Sequence, residues 1–160
     1  MLIILIILLL GAFNGSRTMT PTSVLCWFAF VGRLHVGGTW FAFLGQPLVV
    51  AIFTTAAIAE LLVDKLPITP SRLKAPLLLA RLGAGAFVGA VLAAAMLQSS
   101  KLGALIGASG ALLGALIGYW LRTRIVKKTG LQDYVVALAE DGITIAGSIV
   151  VVAVALRRLG

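Results

Sequence analysis

Between Leu102 and Leu121 the chain runs for twenty residues without a charge. A helix needs about 20 apolar residues to cross a hydrocarbon core about 30 Å thick. Inside lipid, every backbone polar group must also be satisfied within its own element. A membrane helix meets both demands. Three further apolar stretches are as long, namely Leu44–Val63, Pro76–Leu97 and Tyr134–Leu156. Composition agrees: 61% of the 160 residues are apolar and 11% charged, with a mean hydropathy of +1.12. Soluble domains are about 45–50% apolar and about 25% charged. A chain this apolar cannot cover a globule with polar surface. Soluble folds, disorder, nucleic-acid-binding domains and secreted disulfide scaffolds are excluded. The expected fold class is all-α, a polytopic helical membrane protein with residues 1–160 as a single transmembrane domain.

The N-terminal third is organised differently. Leu2–Phe13 and Thr22–Val31 are strongly apolar but short, and Asn14-Gly15-Ser16-Arg17-Thr18-Met19-Thr20-Pro21 separates them. That insert holds a flexible Gly, helix-capping hydroxyls, a helix-punctuating Pro and a charge. Either the two segments are short tilted spans, giving six in all, or they form one broken or re-entrant unit, giving five. Met1–Phe13 lacks the basic start and small-residue cleavage site of a signal peptide, so cleavage is not expected.

Thirteen Lys and Arg against five Asp and Glu give a net charge of +8. The basic residues flank apolar stretches, as topology signals do. In the six-span reading Arg17, Lys65, Arg72, Lys74, Arg81, Arg122, Arg124, Lys127 and Lys128 share one side, leaving Arg33, Lys101, Arg157 and Arg158 on the other. The positive-inside rule then places loops 64–81 and 122–133 in the cytoplasm. The expected location is a bacterial inner (cytoplasmic) membrane, crossed many times. Cys26 has no second Cys and reads as structural; His35, beside Gly37 and Gly38, reads as a solvated loop residue.

Small residues recur at helical spacing. Gly103, Gly107, Gly110, Gly114 and Gly118 form one stripe, and Gly85, Gly89 and Ala93 another. Such stripes let backbones approach closely, within a chain or between chains. Packing within the chain is the preferred reading, with a homodimer seam as the alternative. Residues 1–66 and 76–157 each hold three apolar segments, as a 3+3 inverted repeat would. A short echo, Ala57-Ile58-Ala59-Glu60 and Ala137-Leu138-Ala139-Glu140, accompanies it.

The acids are Glu60, Asp64, Asp133, Glu140 and Asp141. Glu60 and Asp64 are four apart and share a helix face. Asp141, Thr144 and Ser148 continue a polar stripe along the last span. Ionisable groups at such depth cost roughly 2.5–3.5 kcal/mol each on insertion scales, so they should face one another or a water-filled cavity. A purely structural arrangement would clasp Arg17 with Glu60 and Glu140 while Asp64 and Asp141 reach water. A functional one would use the same acids as a proton- or cation-responsive site. In the functional reading Arg17 would anchor an anionic group or pair an acid; the expectation carried furthest is that it pairs with Glu60 or Glu140, because its guanidinium cannot lose its charge.

The chain resembles a bacterial integral-membrane family catalogued as domain of unknown function 4126. The resemblance is carried by Gly15-Ser16-Arg17-Thr18-Met19-Thr20-Pro21, by Glu60-Leu61-Leu62-Val63-Asp64-Lys65-Leu66-Pro67, and by Glu140-Asp141. It implies a compact multi-span protein in which Arg17, Glu60, Asp64, Lys65, Glu140 and Asp141 belong to one site.

No Cys/His cluster, serine–histidine–acid set or phosphate loop is present in the sequence, so neither an enzyme nor a cofactor or metal is expected. The leading expectation is a transporter or permease for an ion or small solute, with Arg17, Thr18, Thr20, Glu60, Asp64, Lys65, Glu140 and Asp141 at its binding site. The alternative is a non-transporting scaffold or assembly subunit packing through the Gly stripes. Expected partners are the bilayer, a small solute or ion, and a second copy or another membrane protein, with no nucleic acid.

Overall fold

The computed structural model describes residues 1–64, 74–129 and 132–157. Among these, six α-helices occur: α1 (Leu2–Ser16), α2 (Thr20–Phe30), α3 (Pro47–Val63), α4 (Ala75–Ala95), α5 (Ser100–Thr129) and α6 (Asp133–Leu156). A 3-10 turn, Ala42–Gly45, precedes α3. No described residue lies in a strand. Pro21, Pro47 and Pro76 each sit in the first turn of a helix, where a missing N–H costs nothing and the fixed φ is already helical.

Three described helices, α4, α5 and α6, are long and apolar enough to cross a membrane. The others are shorter, with 15, 11 and 17 residues in α1, α2 and α3. Leu44–Val63 therefore supplies less helix than its length suggests. Leu44 and Gly45 close the 3-10 turn, and Pro47 sets the helix start.

Neighbouring contacts fix the direction of each helix. Gly89 meets Gly103 and Gly85 meets Gly107, so α4 and α5 are antiparallel; Gly11 meets Gly107 and Gly15 meets Ala111, so α1 runs with α5. Arg17 meets Asp141 and Phe13 meets Gly147, which sets α6 against α1. Glu60 reaches Thr18 and Met19, Thr54 reaches Ser23 and Trp27, and Gly45 lies beside Ala29, so α2 and α3 are antiparallel. Phe41 and Phe43, just before α3, lie against Phe87 in mid-α4, whereas the end of α1 meets Arg81 near the start of α4. The chain thus reverses between α1 and α2, and successive helices alternate in direction. Residues 1–66 and 76–157 contribute α1–α3 and α4–α6 respectively.

The centre of the bundle is α1, α4 and α5 at close quarters. A Cβ added at Gly11, Gly15, Gly85, Gly89, Gly103, Gly107, Gly110 or Gly114 would lie under 3.0 Å from backbone of the neighbouring helix. Both Gly stripes are thus used within the chain. Side chains such as Leu10, Leu25, Leu44, Val88, Leu92 and Val152 fill the space beyond them, each fully buried. Lipid supplies no hydrophobic drive between helices, so this close van der Waals contact is what holds them together.

Candidate functional site

The reversal between α1 and α2 leaves two helix ends inside the protein. α1 stops because Arg17 takes an extended conformation, φ −134° and ψ 117°, and α2 restarts at Thr20. Helix ends carry unpaired N–H and C=O groups, which are costly away from water. Both ends are met by charged side chains of the sign that the helix dipole favours. Glu60 of α3 accepts hydrogen bonds from the backbone N–H of Thr18 at 2.7 Å and of Met19 at 2.8 Å. Arg81 of α4 donates to the carbonyls of Gly15 and Ser16, each at 2.6 Å.

Arg17 itself is fully buried. Its Nη1 is ion-paired with Asp64, and its Nε and Nη2 with Asp141 Oδ1 at 2.7 and 2.5 Å. The same Asp64 oxygen takes Arg122 Nη1 at 3.2 Å. Arg122 grips Asp133 at the start of α6 through two further bonds, at 2.8 and 2.5 Å. One chain of charges, Asp141–Arg17–Asp64–Arg122–Asp133, therefore ties together the reversal, α3, α5 and α6. Arg81 lies six residues into α4 and Asp141 eight into α6. At 1.5 Å per residue, Arg81 and the Arg17–Asp141 pair sit about 9–12 Å inside one end of the bundle, with Asp133 at that end.

Two expectations are corrected by this geometry. Arg17 is paired with Asp64 and Asp141, not with Glu60 or Glu140. Asp64 and Asp141 do not reach bulk water; their side chains are 10% and 8% exposed. The reason is local. Glu60 and Asp64 share a helix face, and the exposed N–H pair of the reversal captures Glu60, leaving the guanidinium to Asp64. On α6, Asp141 faces inward with Thr144 and Ser148, all buried, and Ser148 Oγ donates to the Thr144 carbonyl at 2.6 Å. Glu140 is turned about 100° away and lines a different surface.

Of the remaining expected residues, Thr18 enters through its backbone N–H and carbonyl. Lys65 lies outside the described residues. Thr20 is buried, and its hydroxyl has no hydrogen-bond partner among the described residues; the same holds for both polar atoms of Asn14. Asn14 precedes Arg17 by three residues and Thr20 follows it by three, so unpartnered polar groups flank the break on both sides.

Arg81, Arg122 and Asn14 were not legible as site residues. Arg81 and Arg122 read as loop charges that set topology, although Arg81 falls inside the apolar stretch Pro76–Leu97. That position was the available signal, because a cation so placed must find an acceptor. Asn14 reads as part of a polar linker, yet it belongs to the last turn of α1.

Beside the cluster lies an open cleft of about 300 Å³ between α5 and α6, floored by Ala12, Phe13 and Ser16 of α1. Its walls are mainly apolar; Arg122, Glu140 and Thr144 supply the polar lining of α5 and α6. Gly118, expected in the packing stripe, lines this cleft.

No curated protein and no solved structure matches the chain. Residues 4–158 match the family described as Domain of unknown function (DUF4126). Because that match covers nearly the whole chain and includes the helix reversal and every acid of the cluster, the protein belongs to this family.

Proposed function

We propose that this protein is a small, non-enzymatic membrane transporter or permease for an ion or small solute. Its site is the reversal between α1 and α2 with the charges around it. The observation that carries this reading is a pair of helix ends inside the protein, held by Glu60 and Arg81 and flanked by the unpartnered polar groups of Asn14 and Thr20. Discontinuous helices in membranes concentrate dipoles and free backbone groups at one point, the usual construction of a transport site. Arg17, Asp64 and Asp141 would act as the exchangeable part, since an entering ion or proton can displace one partner of a shared ion pair. Glu60, with Thr18 and Thr20, would shape the backbone, Glu140 would lie on the approach, and Lys65 is retained as a candidate ligand from the sequence alone. In this proposal the chain crosses a bacterial inner membrane, loops 64–81 and 122–133 face the cytoplasm, and the two three-helix halves form an inverted repeat.

The scaffold reading has less support. The Gly stripes proposed to dock a partner lie against backbone of their own chain. Proteoliposomes loaded with a pH indicator, and separately with Na⁺, K⁺, chloride, phosphate or small carboxylates, test the transport reading. Protein-dependent flux of at least one species is expected, slowed in Glu60→Gln. Correctly inserted protein that moves none of them would overturn it.

A further inference from the structure

We infer that the cleft between α5 and α6 is a binding site for one anionic phospholipid, with an acyl chain between the helices and the head group at the basic end of α5. The inference does not depend on the transport proposal, although the cleft adjoins that site and shares Arg122 and Glu140 with it. α5 is drawn against α1 and α4 by the Gly stripes, while α6 is held on α1 and α2 by the Arg17–Asp141 pair and the Phe13–Gly147 contact. The two helices meet through Arg122 and Asp133 and leave beside that contact a wedge with α1 as its floor.

The wedge opens outward. Ile117, Leu121, Ile125 and Ile143 on its walls are 54%, 45%, 39% and 65% exposed. In a protein whose outer surface meets lipid, a wedge with such walls accepts a hydrocarbon chain rather than a hydrated solute, which would have to give up its water to apolar surface.

Charge selects the head group. Leu121 and Ile125 line the cleft, and the same face of α5 continues to Lys128 one turn later. Arg122 pairs with Asp133, the first residue of α6, so the rest of α5 projects beyond that level. Lys128 is exposed on this projecting end, about 9 Å past Arg122 at 1.5 Å per residue, while Lys127, also exposed, is turned to the opposite face of the helix. Arg124 is exposed too and lies over the Trp120 ring, 3.8 Å from its centroid. An indole anchored this way belongs at the membrane–water boundary. The acids of α6 do not oppose an anion there. Asp133 is held by Arg122, and Glu140 lies seven residues deeper, about 10 Å further in. A basic helix end above an apolar cleft at the membrane boundary attracts anionic head groups.

Native mass spectrometry of the full chain in micelles, titrated with dioleoyl phosphatidylglycerol or dioleoyl phosphatidylcholine, tests the site. One phosphatidylglycerol per chain should be retained in preference to phosphatidylcholine. Lys128→Gln should weaken that retention by about fivefold, and Lys127→Gln on the opposite face by less. Ala139→Trp, which fills the cleft, should abolish it while leaving the lipid-free melting temperature unchanged. If Ala139→Trp does not fold, Ile143→Trp on the same wall serves instead. Equal retention of the two lipids would overturn the proposal. So would undiminished retention of phosphatidylglycerol in the filled variant, since that would show charge attraction without a built site.

Discussion

Arg17 shows how one residue can make a helix reversal inside a membrane protein affordable. Its guanidinium stays charged at any accessible pH, so burial is tolerable only while carboxylates surround it, and Asp64 and Asp141 do so from two helices. A buried pair adds little net stability, but stranding one partner is costly. Arg17→Ala should therefore lower unfolding stability by about 3–5 kcal/mol, read from thermal or denaturant unfolding in micelles. In that variant Asp64 keeps Arg122 at 3.2 Å. Adding Asp141→Asn to Arg17→Ala should recover part of the stability. Strictly additive losses in the double variant would show that the two side chains are not coupled.

At the scale of the element, α5 is the helix against which the bundle is assembled. Gly107 is approached from two sides, by Gly11 of α1 and by Gly85 and Gly89 of α4. A methyl group there would meet backbone atoms that have nowhere to go. Gly107→Ala should cost about 1–3 kcal/mol, the range for overpacking a tight interior. Gly142 in α6 is the control, because a Cβ there meets nothing within 4 Å. Gly142→Ala should instead raise stability by about 0.5–1 kcal/mol by removing the entropic cost of glycine inside a helix. Melting temperatures of the two variants side by side decide the matter; equal effects would mean that the Gly stripe does not set the helix spacing.

For the whole molecule, alternation of helix direction predicts which surfaces face the same compartment. Lys74 precedes α4 and Lys128 ends α5, whereas His35 follows α2 and Gln98 follows α4. In a Cys26→Ala background, single cysteines at 74 and 128 should react with an impermeant maleimide from one side of sealed vesicles. Cysteines at 35 and 98 should react only from the other. The basic pair is expected on the cytoplasmic side. Labelling of positions 35 and 74 from the same side would break the alternation.

Much of this architecture follows from local pattern. Uninterrupted apolar runs dictate helices in lipid, since no other open element satisfies its own backbone there. The periodic Gly residues announce close packing, and Pro21, Pro47 and Pro76 mark three helix starts. The four-residue spacing of Glu60 and Asp64 puts both on one face, and the Asp141–Thr144–Ser148 stripe points inward as its spacing suggests. Periodicity reports which residues share a face, but not which atoms lie across from it. So the partners of Arg17, the capping of α1 by Arg81, and the place of Arg122 in the charge chain emerge only once the helices are assembled. Those choices depend on the reversal at residues 17–19, which presents two N–H groups to Glu60 and thereby leaves Asp64 to the guanidinium. The cleft beside α6 is likewise tertiary: glycine contacts pack α5 on α1 and α4, an ion pair packs α6 on α1, and the space is what remains where α5 and α6 meet only through Arg122 and Asp133.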